Sequence, residues 1–341
     1  MRKTGYKDPM LTRNHLFSAV LWGTCAFSSV SASARLGNWP EYGQLEKADV
    51  VALFSVDGVK PEYGIFSGFN LRISKTVPAP LVLKGGLKGA LEYSSEEFLF
   101  PKGTRTHMVF LQADDDGKLA SVNWMCSTIS STCEFDQLAA GAGNCWDVLR
   151  KMFRQETNPD LALLQARVIA TGPAPYAKSC LVEPQAGDGD ELWLAHFLVS
   201  LYAEGEQAVD LSRGPFRDIS KIGVTDKGTN GMAFCARGAI EGWFYRNASA
   251  DNSSRLLDFV LLQKGSFQGN LLIAIAKNVP EARLLDVARL MRKSRHNLVR
   301  YGCFKVINYR LNGGRGICGI DDFSRHPDRY LDRAEQLLKA R

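Results

Sequence analysis

The chain lacks the short patterns by which many enzymes announce themselves. No C-x-x-C, no H-E-x-x-H and no G-x-S-x-G occurs in its 341 residues. The first absence argues against a thioredoxin-like redox centre and a zinc knuckle. The second argues against a helix-borne zinc protease site, and the third against the nucleophile elbow of the α/β hydrolases. Histidine is scarce, five in all, and His107, His196, His296 and His326 show no paired metal-ligand spacing. No metal, cofactor or catalytic residue is therefore assigned, and catalysis would need a site assembled in space from distant residues. No low-complexity tract is present. The composition, 45% hydrophobic and 23% charged, is that of a globular protein.

What the chain does have begins at its start. Arg2, Lys3, Lys7 and Arg13 form a basic opening, Leu16 to Val30 an apolar stretch, and Ala32-Ser33-Ala34 a run of small residues. This is the three-part pattern of a secretory leader, with cleavage expected after Ala34. The apolar stretch is shorter than the roughly 20 residues of a spanning helix, and nothing later is longer. The expected location is periplasmic or secreted, with no transmembrane segment once residues 1–34 are removed. Met10 is an alternative start that keeps the same pattern.

The formal charge of +6 is unevenly spread. Four bases and one acid in the leader account for half of it. From Glu281 to the end there are fourteen Lys or Arg against seven Asp or Glu, so residues 35–280 carry a small negative excess. A basic tail on a mildly acidic body predicts one contact surface for an anionic partner.

Removing Cys25 with the leader leaves seven cysteines. An oxidising compartment makes disulfides the default, and an odd count leaves one over. Proximity in sequence suggests Cys126–Cys133, Cys145–Cys180 and Cys303–Cys318, with Cys235 as the odd thiol and a possible route to a dimer.

Residues 46–128 read as five strands. Ala48 to Val56 is apolar and β-branched, Ile65 to Val77 alternates, Leu81 to Leu83 continues past a Gly-Gly step to Leu87–Tyr93, and Thr106–Gln112 and Lys118–Ser127 flank an Asp-Gly turn. Short strands divided by Gly and Pro predict a small barrel. A helix capped by Asn144 follows, with Trp146, Leu149 and Phe153 at helical spacing. Leu164–Ala170 reads as another strand, and Gly172-Pro173-Ala174-Pro175 as a break. The second half reads as mixed. Asp188 caps a helix, Phe234–Arg246, Leu256–Gln263, Asn270–Lys277 and Tyr301–Leu311 look like strands, Pro280 starts a helix to about Leu298, and Pro327 opens a terminal one. The expected fold class is α+β, a five-stranded OB-like β-barrel followed by an α+β domain. The expected segments are a leader at 1–34, the barrel with its trailing helix at 46–155, a linker at 156–187 and the second domain at 188–341.

The first half resembles the OB-type barrels of the netrin-like and tissue-inhibitor-of-metalloproteinase-like group over residues 46–135. The resemblance is carried by Ala48-Asp49-Val50-Val51-Ala52-Leu53, the Leu83-Lys84-Gly85 step, the strand His107-Met108-Val109-Phe110-Leu111 and a last strand ending near Cys126. In the inhibitors of that group an N-terminal Cys-x-Cys meets a catalytic zinc. Here the expected N-terminus is Arg35 and no cysteine after it precedes Cys126, so protease inhibition is not implied. What the resemblance implies is a barrel used for binding.

Three further motifs have plain readings. Gly314-Arg315-Gly316-Ile317-Cys318-Gly319 fits G-x-G-x-x-G, but a dinucleotide site needs a strand before it and a helix opening within it, and no helix is expected there. Asp114-Asp115-Asp116-Gly117 lacks the closing Glu of a calcium loop and reads as a hairpin tip. After Pro280, Leu284, Val287, Ala288 and Met291 share one helix face, which places Arg289, Arg292, Lys293, His296 and Arg300 on the other. That basic stripe is the candidate contact for an envelope protein or an anionic envelope polymer. Nucleic acid is not expected of an exported chain. The reading is an exported, non-catalytic binding or accessory protein of the cell envelope. The alternatives are an exported hydrolase with its site in the second half, and a disulfide-linked self-associating structural protein.

Overall fold

The strongest apolar run in the first half, Val50–Ser55, becomes the central strand β1, and its first five residues are buried. Val51 and Leu53 point into one apolar cluster with Met108, Phe110 and Ile129, while Val50, Ala52 and Phe54 point into a second with Val77, Leu91 and Val109. Side chains alternate across a strand, so a run apolar at every position needs cover on both faces. The computed structural model describes residues 42–341 apart from 59, 68–69, 88, 97–102, 122–127, 186, 214–215, 226–227 and 230. The expected leader, with Cys25, lies outside the described residues, as does Cys126.

Strands β2 (Lys60–Ser67), β3 (Asn70–Val77), β4 (Leu81–Lys84), β5 (Leu91–Glu96), β6 (Thr106–Ala113), β7 (Leu119–Ser121) and β8 (Thr128–Ser131) join β1 in one mixed sheet. The order is β2-β3-β5-β7-β6-β1-β4, with β8 also on β6 and with β5 and β7 parallel. This corrects the five-stranded barrel. The ladder is open from β2 to β4 rather than closed. β1 sits between β6 and β4, through Val51↔Lys84 and Leu53↔Leu81 on the β4 side, and among the described residues the end strands β2 and β4 pair only with β3 and β1, so no ladder joins the two ends of the sheet. The Asp-Gly turn does join antiparallel strands, β6 and β7, with Asp114 Oδ1 accepting from the Asp116 and Lys118 amides at 3.0 and 2.8 Å.

Helix α1 (Tyr42–Lys47) precedes the sheet, and α2 (Phe135–Ala139), α3 (Cys145–Gln155), α4 (Pro159–Thr171) and α5 (Ala174–Ser179) follow it. Asn144 caps α3 as its sequence suggests, accepting from the Trp146 and Asp147 amides at 2.9 and 3.0 Å. Leu164–Ala170, expected as a strand inside a linker, is instead the buried end of α4.

The second half carries the larger correction. It holds α6 (Asp190–Glu204), a two-residue hairpin of β9 (Val224–Thr225) and β10 (Gly228–Thr229), and then only helices: α7 (Gly231–Asn247), α8 (Ser253–Leu262), α9 (Gly265–Ile275), α10 (Leu284–Lys293), α11 (Asn297–Asn312), α12 (Ile320–Arg325) and α13 (Pro327–Lys339). The four stretches expected as strands form α7, α8, α9 and α11. Each is dense in aliphatic and aromatic residues because it is covered on more than one side. Such a helix loses the single apolar stripe that marks a surface helix and then looks like a buried strand. The helices that contain these runs are ten to seventeen residues long, against about five or six for a strand.

The helices stack in order. α7, α9, α11 and α13 lie side by side, and α8, α10 and α12 pack on the row from the second layer. α9 and α11 come unusually close. A Cβ on Gly269 would stand 2.7 Å from the Leu298 carbonyl carbon, and one on Gly302 would stand 2.7 Å from Leu272 Cβ and 3.0 Å from the Gly269 oxygen. Two glycines facing each other let the two backbones meet. Pro40–Arg341 is a single compact unit, and one apolar cluster runs from Leu45 to Ala334. Among the described residues no helix is long and apolar enough to cross a membrane.

Candidate functional site

The basic stripe expected after Pro280 does not survive as one face. α10 ends at Lys293, Ser294 turns to extended backbone, and a new helix begins at Asn297. Arg289, Arg292 and Lys293 lie on α10, His296 precedes α11, and Arg300 sits in its first turn. Arg292 is spent on Glu335 of α13, donating through Nε and Nη2 at 2.7 and 2.6 Å. That fork holds the Glu335 carboxyl below its ordinary value. Arg289 faces Asp286 at 3.6 Å, and Arg300 is half-buried with its Nε shielded from water and unbonded. Arg289, Lys293 and His296 remain exposed, but not as one helix face.

The close approach of α9 and α11 gathers a different set of cations. Lys277, two residues past the end of α9, places Nζ 5.5 Å from the Tyr309 ring centre. Lys305 on α11 places its own 5.6 Å from Tyr301 and 5.9 Å from the same Tyr309 ring. Arg310 donates to the Lys277 carbonyl at 3.4 Å, which sets its guanidinium in the same corner. Among the described residues no carboxylate lies within 4.0 Å of any of the three. Burial first, and the neighbouring Lys277 ammonium second, push the Lys305 pKa down. The rings attract both ammonium groups but carry no charge to cancel theirs.

The tyrosines are fixed from behind. Tyr301 donates to the Cys318 carbonyl at 2.8 Å. Gly314, at φ +77°, lies flat on Tyr309, where a Cβ would stand 2.7 Å from Cε1. The glycine motif therefore wraps a ring rather than cradling a nucleotide. It follows helix α11 instead of a strand, and the short α12 opens just after it, both contrary to expectation. Along the same row, Asn270 donates to Glu241 of α7 at 2.9 Å. Burial raises the Glu241 pKa, against the pull of Asn270 and Arg237. Tyr245, 56% exposed, stands beyond it.

Two other polar groups are closed systems. Buried Glu156 accepts from Ser131 Oγ and Thr132 Oγ1 at 2.8 Å, from the Thr132, Thr157 and Asn158 amides, and from Gln165 Nε2. It ties the end of β8 to the turn between α3 and α4. His196 of α6 shares 3.1 Å with Asp188, and burial lowers its pKa despite that carboxylate. Asp188 does not cap α6 as expected; it holds His196 and the Gln185 amide instead. Arg217 clamps the same corner through the Asp188 carbonyl and the Asp190 carboxylate. Among the described residues no Ser, Thr or Cys side chain bonds to His196, so the pair is a fastener without a nucleophile.

The cysteines depart from the expected pairing. Cys145–Cys180 and Cys303–Cys318 are not bridged. Burial raises the pKa of all four thiols, and each has its own setting: Cys145 begins α3, Cys180 ends α5, Cys303 is fully enclosed in α11, and Cys318 meets Tyr330. Cys235 is 7% exposed on α7, a poor position from which to reach a second chain. Among the described residues no cluster of His, Cys, Asp or Glu is arranged to hold a metal.

Sequence reasoning missed the corner because Tyr301–Leu311 was read as a strand. Tyr301, Lys305 and Tyr309 fall on one side in either geometry. On a strand they would stand about 13 Å apart; on a helix each step is about 6 Å, within reach of both cation–ring contacts. No protein-family model matches this chain, and no curated protein or solved structure matches it either.

Proposed function

We propose that this is an exported, non-catalytic binding protein whose helical half holds an acidic partner against the corner of Lys277, Lys305 and Arg310. The observation that carries the reading is the convergence of two ammonium groups on one tyrosine ring with no carboxylate beside them. Such a cluster repels itself until an anion arrives. The setting favours binding over catalysis: Lys277, Arg310 and Tyr245 are exposed on an open row of helices, whereas general acid–base work needs a sheltered site. Stacked helices offer an extended surface of the kind such partners occupy.

The test is a titration of the full chain with a fluorescent poly-glutamate peptide at low salt. The variant Lys277→Ala/Lys305→Ala should lose binding, and the variant Arg289→Ala/Arg292→Ala/Lys293→Ala should keep it. Loss in the second variant alone would return the site to α10, and no binding by the parent chain would sink the reading. Export is tested separately, by N-terminal sequencing of the protein recovered from outside the cytoplasm; an N-terminus at Arg35 is expected.

A further inference from the structure

Resting on that reading, we infer that the corner of Lys277, Lys305 and Arg310 around Tyr309 is a site for a phosphate monoester in its dianionic form. The first argument is charge balance. Two ammonium groups converge on the Tyr309 ring, the Arg310 guanidinium bonds the backbone of one of them, and among the described residues no carboxylate lies within 4.0 Å of any of the three. A carboxylate offers one negative charge and leaves most of the repulsion in place, whereas a dianion offers two, with three acceptor oxygens to share among the donors. The second argument is donor geometry. Lys277, in the turn after α9, and Lys305, on α11, reach the Tyr309 ring at 5.5 and 5.9 Å, so they offer point charges from two separate segments. Arg310 adds a planar guanidinium with one prong, Nη1, on the Lys277 carbonyl and its other N–H groups left to offer. Two ammonium groups and a guanidinium are the donor set that phosphate recognition uses. The third argument is rigidity. Gly314 backs the Tyr309 ring, and Gly269 and Gly302 fix the approach of the two helices, so the donors stand on supported elements.

The experiment compares three forms of one peptide, with phosphoserine, glutamate or serine at a central position, by calorimetric titration of the full chain. Inorganic phosphate and phosphatidylglycerol vesicles, whose phosphodiesters are monoanions, serve as further probes. The phosphopeptide should bind at least ~10-fold tighter than the glutamate form. Its affinity should fall as the pH drops through about 6, where the second phosphate proton returns. Inorganic phosphate should compete with it. Lys305→Ala and Arg310→Ala should each weaken phosphopeptide binding while the thermal midpoint stays in place. Equal affinity for the phosphoserine and glutamate peptides would overturn the phosphate inference and leave the acidic-partner reading standing. Binding to vesicles without competition by phosphate would overturn it in favour of a membrane surface. Failure of every acidic probe would remove both readings.

Discussion

Glu156 and the Lys277–Lys305 pair are opposite solutions to the same electrostatic problem. The Glu156 carboxylate is 4% exposed, and hydroxyl, amide and side-chain donors from three segments close around it. The two ammonium groups are less deeply placed and meet only rings and each other. A buried charge with every lone pair satisfied joins elements and has nothing left to offer a ligand. A charged cluster left uncompensated at the surface contributes little to stability and keeps its interaction free energy for a partner. The difference teaches where to look for function: in the group whose hydrogen-bond and charge requirements the fold does not meet.

The comparison breaks most readily at Glu156. Glu156→Ala strands several buried donors and should cost about 2–4 kcal/mol, at roughly 1–3 kcal/mol for a donor left unsatisfied, read from urea midpoints. A loss below ~1 kcal/mol would mean the network relaxes and is not a structural node. Next in size is Gly302→Ala, which drives a methyl group into Leu272 and should cost roughly 1–3 kcal/mol. Because it spreads α9 from α11, it should also weaken acidic-peptide binding; a destabilised protein with unchanged affinity would separate the site from that helix contact. Lys277→Ala should leave stability within about 0.5 kcal/mol while binding falls. Removing the like charge should also raise the Lys305 pKa part of the way, measured by pH-dependent amine labelling, since burial, the larger cause, remains.

The smallest effect concerns His196. Its folded pKa lies below the ordinary value of 6.5, so the folded state binds fewer protons than the unfolded one as the pH falls. The stability tied to this group is complete above 6.5 and is lost as the pH drops through the lowered folded value. Urea midpoints of the parent should fall on mild acidification more than those of His196→Phe. Parallel slopes would show that His196 does not carry the pH dependence.

The sequence was most legible where local chemistry decides the outcome. Asn144 caps α3 because its side-chain oxygen meets the first free amides, and Pro327 opens α13 because it needs no amide partner there. β1 and β6 form from runs whose branching and alternation suit a pleated, covered surface. It was least legible where burial erased the periodic signal, as in α9, whose Leu271-Leu272-Ile273-Ala274-Ile275 is apolar all round. The candidate site shared that fate. Arg292 sits on the expected basic stripe, and only the fold places Glu335, 43 residues away, across from it.

The sequence by itself determined the excess of basic residues after Glu281, the Asn144 cap, and the apolar runs that must be covered. Only the tertiary structure decided whether those runs became strands or helices, whether the sheet closed, and which basic residues kept their charge unanswered. Propensity and capping act within a few residues of the chain. Charge compensation depends on contacts of about 4 Å between residues far apart in sequence, as between Arg292 and Glu335.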